Sequence, residues 1–290
     1  MAVWQAVLLG LVQGVTGFLP VSSSGHLNLL SSILGIQDSV NYMILIFLHL
    51  GTILGVFCAF KSDISRLFLG FFGIFRQMLS NVVEWQKSWN DPENVHYRKL
   101  INSNYGRFAF LMSISMGVTL VTALALRPLC NALSGNLLLN GMGFLFTALL
   151  LIVCSFTPTS LKGPKDTRIL DAVVIGLFQG FSAVPGISLL GMVIAAGYLC
   201  GLTRKFIIKY AYIMTIPVLM GATIFEVGSL LAGGGQIYWI PCVIGMAISA
   251  IVGYFLINRV RKHINIRTCR FFAGYCIIIG CITVILYLMR

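Results

Sequence analysis

Apolar positions along this chain gather into runs of roughly twenty residues, the length that crosses a bilayer, with polar positions in the short stretches between them. Six runs read as unbroken helices able to cross ~30 Å of hydrocarbon: 41–60, 108–126, 137–156, 208–231, 237–258 and 271–289. Two further apolar stretches are interrupted. Residues 1–34 carry Gly10, Gly14, Gly17 and Pro20 before a Ser cluster, and residues 171–200 carry Gly180, Pro185, Gly186 and Gly191. Each half is too short to span comfortably, so each stretch reads as two half-helices in a re-entrant hairpin, the first with its tip at 20–25. The pattern predicts an all-α polytopic membrane protein: six transmembrane helices plus two re-entrant helical hairpins.

The connections differ in character. Residues 61–107 form a long basic connection with an amphipathic start (Leu67, Phe68, Phe71, Phe72, Ile74, Phe75), expected to lie on the membrane surface. Shorter loops are expected at 127–136, 157–170, 232–236 and 259–270. Eighteen of the twenty Lys and Arg residues lie in 61–107, 157–170, 204–209 and 259–270, leaving Arg127 and Arg290 elsewhere. With those four segments cytoplasmic, the six spans alternate without conflict, and the first hairpin opens to the outer face.

The interrupted stretches match each other. Gly10-Leu-Val-Gln13-Gly14 parallels Gly176-Leu-Phe-Gln179-Gly180, Pro20 parallels Pro185, and Gly25 parallels Gly191 with a one-residue shift. Ordinary kinking and close helix packing also use Gly and Pro, but they do not account for matched positions in both halves. Three spans follow each hairpin, and an odd number inverts the second copy. The chain therefore divides into a first repeat at 1–156 and a second at 171–290, an inverted repeat whose hairpin tips meet near the midplane.

Composition agrees with this and narrows the partners. Of 290 residues, 58% are hydrophobic and 10% charged, against about 25% charged in a soluble domain. The net charge of +12 sits in short loops beside apolar runs. That is the pattern of topology signals and lipid-headgroup contacts, and it argues against nucleic acid. The eight Cys are scattered without a CxxC pair, as small buried hydrophobes rather than a disulfide or zinc framework. No cleavable signal peptide is expected, since the first residues lack a basic region.

Within this apolar chain, Ser22, Ser23, Ser24, Gly25 and His26 form a polar cluster at membrane depth, where polar groups are costly and mark function. Half-helix N-termini favour an anion such as phosphate or carboxylate, and Ser188 adds a hydroxyl from the second tip. His26 can donate to an anion or act as acid or base. Each element has a plainer reading: tip serines are more often caps than nucleophiles, and an intramembrane His is as often structural as functional. His49 and Glu226, inside spans, either line the same cavity as His26 or bond a neighbouring helix.

The opening motif, Gln13-Gly-Val-Thr16-Gly17-Phe18-Leu19-Pro20-Val21-Ser22-Ser23-Ser24-Gly25-His26, resembles the undecaprenyl-diphosphatase family of bacitracin-resistance proteins. That family's signature runs (Glu/Gln)-Gly-x-Thr-Glu-Phe-Leu-Pro-Val-Ser-Ser-(Thr/Ser)-Gly-His. His49-Leu50-Gly51-Thr52 is similar to its next block, and Pro185-Gly186-Ile187-Ser188 to its second motif, Pro-Gly-x-Ser-Arg-Ser-Gly. Residues 216–222 resemble the segment that follows. The resemblance covers nearly the whole chain.

It implies removal of the terminal phosphate of undecaprenyl diphosphate at the outer face of the cytoplasmic membrane, recycling the lipid carrier for peptidoglycan. It implies a divalent cation, Mg²⁺ or Ca²⁺, and is compatible with a homodimer. Under it, Ser23 is the candidate nucleophile or phosphate ligand and His26 the acid/base. Ser22, Ser24 and Ser188 become phosphate donors, and Gln13 and Gln179 support the tips. Two positions depart from the family: its acidic residue after Thr is Gly17, and its Arg in the second motif is Leu189, followed by Leu190. The site thus lacks the carboxylate suited to a cation and the guanidinium suited to a diphosphate. That leaves a second reading, a non-catalytic protein that binds or moves a lipid phosphate on the same scaffold, and behind it a small-anion transporter.

Overall fold

Helix breaks fall where capping residues and turn formers coincide. The computed structural model describes residues 1–36, 38–89, 92–101, 103–132, 135–158, 161–233 and 238–289. The first interrupted stretch is helix α1 (Val3–Thr16), a turn, and α2 (Ser23–Ile33). The second is α6 (Ile169–Gly180), a 3-10 turn at Phe181–Ala183, and α7 (Leu189–Leu199). Ser22 and Ser188 start α2 and α7 by the same device. Each side-chain oxygen accepts from the backbone N–H three residues on, Gly25 at 3.2 Å and Gly191 at 3.0 Å, which satisfies one of the unpaired donors at a helix start.

The long helices are α3 (Asp38–Lys87), α4 (Asn104–Ala132), α5 (Leu137–Cys154), α8 (Arg204–Gly233), α9 (Trp239–Val260) and α10 (Ile266–Leu288). These six are long and apolar enough to cross a membrane, and the protein is a multi-pass membrane protein. The start of the expected span at 237 and most of the expected loop at 232–236 lie outside the described residues.

Two expected connections begin as helix. The amphipathic start of the 61–107 connection continues α3, which bends at Phe60 (φ −120°, ψ 21°) and runs on to Lys87. No proline interrupts residues 61–87, and the stripe of Ile64 and Leu67 still finds a core to bury against. The expected loop at 127–136 begins later, because α4 carries Arg127 and Pro128 as helix. Pro128 removes only the bond to the Leu124 carbonyl and sits near the helix end, where that loss is cheap.

Small residues let the helices of the interrupted stretches approach the spans. Gly10 of α1 lies against Gly245 of α9, and Gly176 of α6 lies against Ser115 of α4. Buried amides repeat the match. Gln13 donates to Thr52 at 2.8 Å, and Gln179 meets Thr119 at 3.1 Å. The largest buried side chains, Tyr210 and Tyr212 of α8, tie the core to both halves. Tyr210 bonds Ser115 at 2.6 Å, and the Tyr212 hydroxyl donates to the Phe18 carbonyl at 2.8 Å, fixing the turn between α1 and α2.

Past the apolar run of α3, Asp63 accepts from Lys209 at 2.6 Å and from Tyr105 at 2.7 Å, linking α3, α8 and α4. Burial pushes its carboxyl up, but those hydrogen bonds and the charges of Lys209 and Arg66 outweigh it, so it titrates below the ordinary carboxylate value. A depressed carboxylate stabilises the fold above its unfolded pKa, about 4, and loses that contribution as pH falls through the folded value. Asp63→Asn should therefore lower thermal stability in detergent at pH 7. The cost should stay under about 1 kcal/mol because the pair is partly solvated. The gap to the native protein should close in acid, and a gap constant down to the acid limit would contradict this.

Candidate active site where the two hairpin turns meet

Helix α5 holds both turns. Asn140 Nδ2 donates to the Gly25 carbonyl at 2.9 Å. Thr147 Oγ1 lies 3.3 Å from the Gly186 carbonyl and accepts from the Ser188 N–H at 2.9 Å. The turns touch each other through glycines. A Cβ at Gly25 would come within 2.9 Å of the Gly186 Cα, and one at Gly186 (φ +86°) would overlap the Asn140 carbonyl oxygen. Ser22, at φ +68°, is the one non-glycine residue with positive φ among the described residues. Such strain persists only where surroundings enforce it, and it clusters at functional turns.

Beside this junction lies a cavity of about 330 Å³. The first turn of α2 contributes Ser23 and Ser24, and the first turn of α7 contributes Leu189. The backbone N–H groups of Ser23, Ser24, Leu189 and Leu190 have no hydrogen-bond partner among the described residues, while those of Gly25 and Gly191 are capped, so two helix N-termini offer donors and positive dipole ends to one space. The Ser23 hydroxyl is likewise unpartnered among the described residues, while Ser24 Oγ lies 3.3 Å from Ser22 Oγ. Gln179, fully buried, is also on the wall. Thr119 has one proton and the Ser115 carbonyl 2.8 Å away to receive it, so either orientation of the Gln179 amide leaves one of its polar atoms unpaired at the cavity. An unpaired buried amide is costly without a ligand or water.

The remaining charge comes from the spans. Arg127 of α4, His49 of α3 and Glu226 of α8 all line the cavity. His49 Nδ1 lies 3.0 Å from Glu226 Oε2. The Arg127 guanidinium stacks over Phe225, 4.3 Å from the ring centroid, and has no ion-pair partner among the described residues.

Other expected site residues sit elsewhere. Ser22 and Ser188 are buried caps. Gln13 is buried against Thr52, with Gly17 beside it. His26 is not on the cavity wall, so the expectation that His49 and Glu226 share a cavity with it is corrected. Its Nδ1 must donate to the Ser22 carbonyl, 2.6 Å away, since a carbonyl only accepts. In the neutral ring Nε2 then accepts from the Tyr275 hydroxyl at 2.8 Å. The ring stacks on Tyr275 and meets the edge of Phe144. Both nitrogens are used in holding α2 against α10.

No group of three His, Cys, Asp or Glu side chains converges as a cation cage among the described residues. The cavity supplies one carboxylate, Glu226. It is already engaged by His49 Nδ1, 3.0 Å away.

Residues 6–282 match the family model described as Bacitracin resistance protein BacA. The chain belongs to that family. It is 31% identical to the undecaprenyl-diphosphatase of Alkaliphilus metalliredigens over 290 residues, covering all of both chains. It is 30% identical to that of Methanosphaera stadtmanae over 282 residues, 97% of each chain. It is 31% identical to that of Korarchaeum cryptofilum, again over 97% of each. Of the two positions that depart from the resemblance, Leu189 lines the cavity, whereas Gly17 lies apart beside Gln13. Arg127 was visible in the sequence only as a basic residue outside the four basic segments. The Gln–Thr pairs and the Asn140 and Thr147 props carried no local signal.

Proposed function

We propose that this protein is an undecaprenyl-diphosphate phosphatase of the cytoplasmic membrane, acting at the cavity where α2 and α7 begin. The first hairpin opens to the outer face, and the chain is an inverted repeat of 1–156 and 171–290. Support for the repeat is the exchanged packing of α1 on α9 and α6 on α4, with the matched Gln13–Thr52 and Gln179–Thr119 pairs. The observation that carries the function is the convergence of two helix N-termini, the Ser23 hydroxyl and Arg127 on one cavity, in a chain whose relatives bear that name.

In this reading the two N-terminal turns and the Ser24 hydroxyl cradle the diphosphate, and Ser23 is the nucleophile or a phosphate ligand. Arg127 takes the place that the family gives to the residue at 189, neutralising charge as the phosphoryl group leaves. A divalent cation, implied by the family resemblance, would neutralise further phosphate charge. Ser22, Ser188, Gln13 and Gln179 hold the turns in place, and His26 acts by fixing α2.

A second reading, a lipid-phosphate binder or transporter without hydrolysis, is favoured by the absence of a carboxylate at Gly17 and of a guanidinium at Leu189. Phosphate release from a prenyl diphosphate by the purified protein separates the two. Release in Mg²⁺ or Ca²⁺ that drops at least ~10-fold on chelation is expected, since a bound cation is worth several kcal/mol to the transition state. Binding of the lipid without release under any metal condition would overturn hydrolysis and leave the second reading.

A further inference from the structure

Ionisable side chains inside a membrane protein are expensive and are kept facing cavities or partners. The His49–Glu226 pair is such a case, and neither residue belongs to a hairpin turn. They stand 177 residues apart in sequence and meet only because α3 packs on α8. Both line the cavity that Ser23 and Ser24 enter. His49 is 9% exposed, and its Nδ1 is engaged by a carboxylate. A carboxylate on Nδ1 fixes the tautomer, orients the ring and stabilises the imidazolium once a proton arrives at the other nitrogen. Nε2 then keeps its lone pair, and it has no hydrogen-bond partner among the described residues. The other charged or titratable groups on the cavity wall are Arg127 and Cys130 of α4. Lining positions from α2, α6 and α7 are hydroxyl, amide or apolar. His26, by contrast, spends both ring nitrogens on Ser22 and Tyr275.

We propose that His49, oriented by Glu226, is the proton-transfer residue of this cavity, with Nε2 facing the phosphate. The inference rests on the phosphatase reading for its chemical step. As a water oxygen bonds to the terminal phosphorus and the bridging P–O bond breaks, Nε2 takes the water proton. The bridging oxygen leaves on the lipid monophosphate, and the imidazolium, held by Glu226, later returns the proton to the released phosphate or to solvent. Glu226 is a positioning residue in this step.

The test has two arms. In the first, phosphate release from a prenyl diphosphate is measured for the native protein, His49→Gln, Glu226→Gln and Glu226→Asp. General acid–base groups contribute about 10²–10⁴-fold, so His49→Gln should lose that much in kcat with KM changed only a few-fold. Glu226→Gln should fall similarly, and Glu226→Asp should recover part. In the second arm, ¹⁵N-histidine NMR follows His49, assigned by its loss in His49→Gln, while inorganic pyrophosphate is added. Its Nε2 signal should shift on addition, and Glu226→Gln should change the tautomer. A native protein that releases no phosphate while His49 still answers pyrophosphate would refute the phosphatase reading and keep Nε2 facing the phosphate. Turnover within threefold of native in His49→Gln, or a His49 signal indifferent to pyrophosphate, would overturn the proposal.

Discussion

Replacing Arg127 by Met should lower phosphate release from a prenyl diphosphate by about 10²–10³-fold, the usual loss when one preorganised donor to transition-state charge is removed. The argument is one of supply. The cavity has no guanidinium from the second turn, because residue 189 is Leu. Arg127 enters the same space from α4, without an ion-pair partner among the described residues. Met keeps the apolar stem that packs near Phe225 and removes only the charged head. Arg127→Lys should fall between, retaining a point charge but not the planar fork that grips two phosphate oxygens. Adding Arg at 189 to the Met variant should restore activity, since that position is on the same wall. Steady-state phosphate release across the four proteins is the check, and equal activity of Arg127→Met and native protein would remove Arg127 from the site.

Gly186→Ala should be the most damaging single methyl group in the molecule. A left-handed φ costs a non-glycine residue roughly 1–3 kcal/mol. The new Cβ would also strike the Asn140 backbone oxygen, and overpacking in a filled core costs about 1–3 kcal/mol more. The loss, roughly 2–6 kcal/mol from those two sources, falls where α5 holds both turns, so it should abolish activity as well as lower the unfolding temperature. Gly274→Ala is the control. Its Cβ would meet nothing within 4 Å, and alanine is the better helix former by about 1 kcal/mol. Thermal unfolding in detergent should separate the pair clearly. Similar unfolding temperatures would mean that the junction is not held as tightly as the close approaches imply.

The architecture was legible because each of its signals is local. Runs of apolar residues give spans, and Gly and Pro inside an apolar run give broken helices. The repeated Gly-Leu-x-Gln-Gly segments mark α1 and α6 directly. The continuation of α3 through residues 61–87 was not legible, for a physical reason. An amphipathic stripe reports that one helix face is wet, but not whether the helix continues from the span before it. The site was legible only in part. Ser23 and Ser24 announce themselves as hydroxyls at a helix start. His26 looked like the acid/base because a histidine beside a serine cluster invites that role, and its engagement by Tyr275 depends on α10, 249 residues away. His49 and Glu226 were visible only as unusual residues within spans, since their pairing is a product of helix packing. The charge missing from Gly17 and Leu189 could be noticed in the sequence, whereas the arrival of Arg127 from another helix could not.

The location of the diphosphate is the most direct test. A structure determined with a methylene-bridged, non-hydrolysable prenyl diphosphate would place both phosphorus atoms. The account predicts them between the first turns of α2 and α7, with a phosphate oxygen within ion-pair distance of Arg127 and His49 Nε2 facing the terminal phosphate. Density for the diphosphate at His26 and Tyr275, away from Arg127 and the Ser23 hydroxyl, would contradict it.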